Sequence, residues 1–237
     1  MVNEADGDEL ARANWRRQLI VVRHAASTKN TEDRYSTLDG REPLTGRGMV
    51  DLDRIANIVR RLVGEVPDGP VRVVSAPSRR CHKTAAAIAD VTGAEVEISA
   101  ALRPLRTPTL AGRTTTDARR RWPELLRNIT HYRAGLMCAY DVGWPDEDIR
   151  DLEFRVQTAF GELLAFEQFG TNVLVGHKSS LTCVLISTLR NLGRYPETYY
   201  GYFDIPVGSI TAFRSREAMG RNVVSVEYEV PVTTEVK

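Results

Sequence analysis

The chain has 237 residues, 42% of them hydrophobic, enough for one sizeable core. Its 32 lysines and arginines and 31 aspartates and glutamates leave a formal charge of +1, which excludes a global pull toward nucleic acid or an anionic membrane, so charged partners must be met by local sites. Three widely spaced cysteines, Cys81, Cys138 and Cys183, without a CxxC pattern, argue against a disulfide framework or a zinc site and fit a reducing cytoplasm.

Residues 1–17 are polar and contain no apolar run of signal-peptide or membrane-span length, so they read as a frayed tail before a single domain over 18–237. Gln18 to Val22 (QLIVV) has the β-branched, uninterrupted apolar composition of a strand buried on both faces. Gly48 to Gly64 carries Leu52, Ile55, Ile58, Val59 and Leu62 on one helical face. Val71 to Val74 predicts a second strand, Thr84 to Thr92 a helix, Leu152 to Phe169 another, Asn172 to Val175 a third strand and Ser209 to Phe213 (SITAF) a fourth. Strands alternating with helices predict a three-layer α/β fold, a largely parallel central sheet flanked by helices. From about Leu102 to Glu147 the alternation breaks at Pro104, Pro108, Pro123 and Pro145, and this stretch reads as a lid-like insertion.

In open α/β sheets ligands sit beyond the carboxyl ends of the strands. The residues there are chemical ones: Arg23-His24 after the first strand, Ser75-Ala-Pro-Ser-Arg-Arg80 after the second, Gly176-His177-Lys178 after the third. Either histidine alone is more simply a hydrogen-bonded structural residue, but two of only four histidines falling at such positions beside Arg23 and Arg80 point to one anion site. Arginine presents a planar fork matched to phosphate oxygens, so the expected ligand is a phosphate ester. There is no DxD, HExxH or GxxxxGK[ST] pattern, so neither a metal nor another cofactor is expected, and side chains would neutralise the phosphoryl charge. A neutral imidazole can attack phosphorus directly, and His24 is the candidate nucleophile.

VVRHAASTKN, SAPSRRCHKTAAAI and VLVGHKS resemble the three signatures of the histidine phosphatase (phosphoglycerate mutase-like) superfamily. Arg23, His24, Ala25, Ser27 and Asn30 fall on the first signature, and Ser75, Pro77, Arg80, Thr84 and Ala85 on the second. Pro43-Leu44-Thr45 with Gly48, and Arg121-Trp-Pro-Glu-Leu125, follow in the same order. The resemblance implies that His24 becomes a phosphohistidine while Arg23, Arg80 and His177 hold the phosphoryl oxygens. Ser27, Asn30 and Lys178 are expected to bind substrate, and a homodimer is compatible with the family.

Three departures matter. Ala25 replaces the signature's glycine, which narrows the backbone freedom beside His24. Pro104 stands where the family carries the glutamate that protonates the leaving oxygen, and Lys178 rather than an aspartate follows His177. General acid catalysis contributes about a hundred- to ten-thousandfold, so its loss should slow alkyl phosphates most. Glu147, Asp148 and Asp117 are candidate replacements, Glu147 foremost. The primary expectation is a metal-independent phosphohydrolase acting on a small phosphorylated metabolite. The alternatives are a phosphomutase, or a weakened or repurposed relative that binds phosphate esters for regulation or non-hydrolytic chemistry.

His82, Arg119 to Arg121, and the aromatic residues Trp122, Trp144, Tyr199 and Tyr200 read more simply as surface or packing residues, while His131, in the insertion, is a candidate to touch substrate as a lid residue.

Overall fold

The computed structural model describes residues 15–229 apart from 33, 38–39, 67–68, 166–169 and 219–220. The expected tail lies outside the described residues up to position 14, and at its other end Arg17 is already a strand residue, paired with Gly170 and Ser215.

The apolar runs form the strands they predict: β1 (Arg17–Arg23), β2 (Val71–Ser75), β4 (Gly170–Gly176) and β5 (Ile210–Ala218). Two more strands complete the sheet, the short β3 (Val96–Ile98) and β6 (Arg221–Glu229). The order is β3-β2-β4-β1-β5-β6, with β3, β2, β4 and β1 parallel, β5 antiparallel to β1, and β6 antiparallel to β5. All seven residues of β4 and the five middle residues of β1 are buried, as expected for strands covered on both faces.

The covering helices are α1 (Gly46–Gly64), α2 (Arg79–Thr92), α3 (Thr115–Arg121), α4 (Pro123–Arg133), α5 (Ile149–Leu164) and α6 (Lys178–Asn191). Helix α1 packs on α2 and α5 on α6, while α2 rests on β2, β3 and β4 and α6 on β1. Local chemistry sets several ends: the Thr45 hydroxyl caps α1 by accepting the Gly48 N–H, Asp148 caps α5 through Arg150, and Gly93 closes α2 in the left-handed conformation. In the stretch 102–147, Pro123 opens α4 at its first turn rather than breaking a helix, because a first-turn residue needs no N–H partner. Leu126, Ile129 and Tyr132 then bury one face of α4. No helix among the described residues is long and apolar enough to cross a membrane.

Register places the site. Strands β1 and β4 are adjacent and parallel, with Arg23 opposite Gly176, so the next residue on each, His24 and His177, leave the sheet side by side. The turn after β1 is clamped from two directions. Thr84 of α2 accepts the Ala25 N–H at 3.1 Å, and the Ala26 carbonyl accepts the Thr45 N–H at 3.0 Å. Gly48 allows that second contact, since a Cβ there would lie 1.9 Å from the Ala26 oxygen. Gly48→Ala should therefore destabilise the protein by about 1–3 kcal/mol in chemical denaturation, as overpacking against backbone does. Gly64→Ala, where an added Cβ meets nothing within 4 Å, should be neutral or slightly stabilising.

Candidate active site

His24, Arg80 and His177 are 3%, 3% and 4% exposed and lie in mutual contact at the carboxyl ends of β1, β2 and β4. The two imidazoles meet edge to face, centroids 5.1 Å apart. Arg80, in the first turn of α2, bridges them: its Nε donates to His24 Nε2 and its Nη2 to His177 Nδ1, both at 3.3 Å. A guanidinium N–H can only donate, so each of these ring nitrogens must accept. The ring hydrogen of His24 therefore sits on Nδ1 and is donated to the Ala25 carbonyl at 2.8 Å, while that of His177 sits on Nε2 and is donated to Ser78 Oγ at 3.0 Å. His24 thus presents the lone pair of Nε2 at the end that a phosphoryl group would approach.

Burial, and then the charge of Arg80, push His24 down to about 3, and burial likewise lowers His177 well below its ordinary range. Arg80 keeps its own charge through Glu42, whose Oε2 lies 2.7 Å from Nη1. Burial works against ionisation of Glu42, but hydrogen bonds from its own backbone and from Thr37, together with Arg80, outweigh it and hold the carboxyl below its usual value. Glu42 is a site residue that no sequence motif indicated, since nothing in a loop sequence tells where its carboxylate will point.

A cavity of about 250 Å³ opens over this centre. Among the described residues five cations line it, Arg23, Lys29, Arg80, Arg133 and Lys178, and no aspartate or glutamate does. Arg23 donates through Nη1 to the Ile205 carbonyl, and its buried Nε has no partner among the described residues. Tyr132, Trp144, Tyr200 and Tyr202 form an aromatic wall, so Trp144 and Tyr200, expected as packing residues, also face the cavity. Tyr132 and Arg133 come from α4 and Pro104 and Leu105 from the preceding loop, so the 102–147 stretch does wall the site. A second hollow of about 510 Å³ shares Arg80, Pro104 and His177 with the first but is not lined by His24 or, among the described residues, by any carboxylate.

The remaining expectations divide. Asn30 lines the cavity, whereas Ser27 is fully buried and spends both its N–H and its hydroxyl on Asn30 Oδ1 at 2.9 Å, holding that side chain rather than facing a ligand. Lys178 lines the cavity but is already bonded to Asp204 at 2.6 Å and to the Tyr202 hydroxyl at 2.7 Å.

Glu147 does not line the cavity: Oε1 takes the Arg155 Nε at 3.0 Å and Oε2 the Arg106 N–H at 2.6 Å, and Arg155 in turn ties down the carbonyls of Arg103 and Pro104. Its carboxylate braces the Pro104 loop, which is not the position of a proton donor. Asp148 caps α5, and Asp117 is held by Arg113, Arg120 and Arg121. His82 and His131 are exposed. Among the described residues no three or more His, Cys, Asp or Glu side chains gather as a metal site.

A family model described as the histidine phosphatase superfamily (branch 1) matches residues 19–226. The chain is 29% identical over 184 residues to a probable phosphoglycerate mutase GpmB of an Enterobacter species (strain 638), covering 76% of this chain and 78% of that protein, and a Citrobacter koseri protein of the same name matches to the same extent. Among solved structures, one titled Mycobacterial hydrolase 2 superposes with a TM-score of 0.69 at 20% identity over 94% of this chain and 95% of that one. A mycobacterial glucosyl-3-phosphoglycerate phosphatase bound to VO3 gives 0.64 at 18% identity over 92% and 98%. These structural likenesses show the shared fold.

The lowered His24 value has a signed consequence. A group whose folded pKa lies below its ordinary value of 6.5 contributes stability above 6.5 that is lost as pH falls toward 3. Nitrogen-15 spectra of the free protein should therefore show His24 neutral, with its hydrogen on Nδ1, down to pH 5, while global stability falls steadily below pH 6.5. A His24 cation at pH 6 would contradict the geometry.

Proposed function

The chain belongs to the histidine phosphatase superfamily, and from that premise we propose that it is a metal-independent phosphohydrolase that passes the phosphoryl group of a small metabolite through His24. The observation that carries this reading is the orientation of His24, neutral and deeply buried, its Nδ1 hydrogen spent on Ala25 and its Nε2 lone pair directed at Arg80 below a cavity rich in cations. A substrate phosphate entering there would take over the Arg80 donors, and Arg23, with a buried Nε that has no partner, would supply another. Nε2 would then attack phosphorus while the leaving oxygen departs on the opposite side, and water would release the phosphoryl group in a second displacement. Charge that builds on the equatorial oxygens would be met by preorganised guanidinium groups, with His177 donating nothing new until its contacts to Arg80 and Ser78 rearrange.

The rest of the cavity supports a substrate class. Among the described residues Lys29 and Arg133 line it without forming an ion pair with any carboxylate, and part of the wall is aromatic. A phosphate ester with a further negative charge and a compact apolar face would match both. A phosphomutase would need the proton donor twice over, and among the described residues no carboxyl group lines the cavity to serve it; hydrolysis is therefore the better-supported reaction.

With EDTA present, the wild-type protein should release phosphate from an activated aryl phosphate, and His24→Ala should lower that rate by at least about a thousandfold. Acid-labile, base-stable radiolabel on the wild-type protein after quenching should be absent from the variant. Turnover that depends on added divalent metal, or that survives in His24→Ala, would overturn the proposal.

A further inference from the structure

The cavity raises a question that its cations do not answer: which group gives a proton to the leaving oxygen. Among the described residues no aspartate or glutamate lines it, Glu147 and Glu42 are both committed to arginines, and a proline occupies position 104. The oxygen and nitrogen acids that do face it, beyond the histidines and arginines, include three tyrosines and two lysines.

The tyrosines differ in where their hydroxyls point. Tyr132 donates to the Gly201 carbonyl at 3.2 Å, so its hydrogen is spent. Tyr200 is 1% exposed, and burial, with the Cys183 thiol beside its hydroxyl, raises that phenol well above its ordinary value, so a phenolate there would be poorly supported. Tyr202 is half-buried, stacked edge to face on Tyr132 at 5.5 Å, and its oxygen is 2.7 Å from the Lys178 ammonium. An ammonium can only donate, so the Tyr202 oxygen accepts from Lys178, and its own hydrogen is directed at Asp204 Oδ1 in a long contact of 3.5 Å. Asp204 Oδ1 takes the Lys178 hydrogen at a much shorter 2.6 Å, so the weakly held Tyr202 hydrogen can be turned to a stronger acceptor in the cavity.

We infer that Tyr202 is the general acid of this site and that Lys178, held by Asp204, is the positioning residue that makes its phenol a usable donor. The inference rests on the phosphohydrolase reading above. As the P–O bond breaks, its electron pair goes to the leaving oxygen, which takes the Tyr202 hydrogen and departs as an alcohol. The phenolate left behind faces the Lys178 ammonium, with Arg23 also in its field. In the second displacement the phenolate accepts a proton from the attacking water, the P–N bond breaks back to His24 Nε2, and both residues return to their starting forms. Lys178 is the poorer donor of the two, because losing its proton would leave a neutral amine against the Asp204 carboxylate. The Lys178 hydrogen bond, followed by its charge, holds that carboxylate ionised.

The test compares kcat/KM for an activated aryl phosphate and an alkyl phosphate in the wild type, Tyr202→Phe, Lys178→Met and His24→Ala. Phenylalanine keeps the ring against Tyr132 and removes only the hydroxyl. Tyr202→Phe should lose about a hundred- to ten-thousandfold on the alkyl ester and less than about tenfold on the aryl ester, whose leaving group needs no proton. Lys178→Met should show the same split at smaller amplitude.

Equal losses on both substrates, or none, would overturn the assignment, as would a wild type that cleaves the aryl ester and leaves the alkyl ester untouched. In each of those cases a His24→Ala collapse would leave the phosphohistidine reading standing. If His24→Ala also retains turnover, both readings fall. Should Tyr202→Phe unfold, Lys178→Met carries the test alone, and an undivided loss there would reject the assignment.

Discussion

Arg80 is the contact on which the rest of the site depends. Its guanidinium is almost wholly buried between two imidazoles and donates to both, so neither ring can carry a proton on the nitrogen that faces it. A buried cation is costly unless paired, and Glu42 supplies the pair at 2.7 Å while Thr37 holds Glu42 in place. Such a pair is weak evidence for stability, since two apolar residues of the same volume would do as well. Its effect is on chemistry: burial keeps both histidines neutral, and one fixed positive charge adds to that and sets the tautomer of each.

The scaffold delivers that contact through three strand ends. Parallel pairing of β1 with β4 and of β4 with β2 aligns the residues that follow each strand, and helices α2 and α6 start immediately after them. Arg80 is therefore a first-turn residue of one helix while His177 caps another, so their positions follow from the sheet register and not from loop conformation. The strands beneath are buried on both faces, which resists any slip that would separate the rings.

How much of this could be read in advance follows from the range over which each feature is encoded. The four inner strands are contiguous apolar runs, and Arg23, His24, Arg80 and His177 sit within a few residues of them, so local pattern and strand-end logic suffice. β3 was missed because it is three residues long and only partly buried, and β6 because none of the residues described there is fully buried, with Val226 and Tyr228 open to solvent. Side-chain direction is encoded nowhere locally. Glu147 and Glu42 are both loop carboxylates near prolines, yet one braces Arg155 and the other Arg80, and only the tertiary structure separates them. Ser27 is the same lesson at short range: its motif position is right, but its hydroxyl turns inward to Asn30.

The charge inventory of the cavity bears on what kind of catalyst this is. Five cations and, among the described residues, no carboxylate would favour binding of a phosphoryl dianion and stabilise its transition state, so electrostatic stabilisation would be abundant where proton donation is scarce. In a site with a carboxylic acid donor, that acid must be held protonated against the pull of neighbouring guanidinium groups, which lower its pKa. A phenol escapes this conflict. It stays protonated at neutral pH even beside a cation, and the same cation lowers the cost of its ionised form when the proton leaves. A cavity this basic would disfavour a protonated glutamate at position 104, and a proline there, braced from behind by Arg155, is compatible with a proton delivered from the opposite wall.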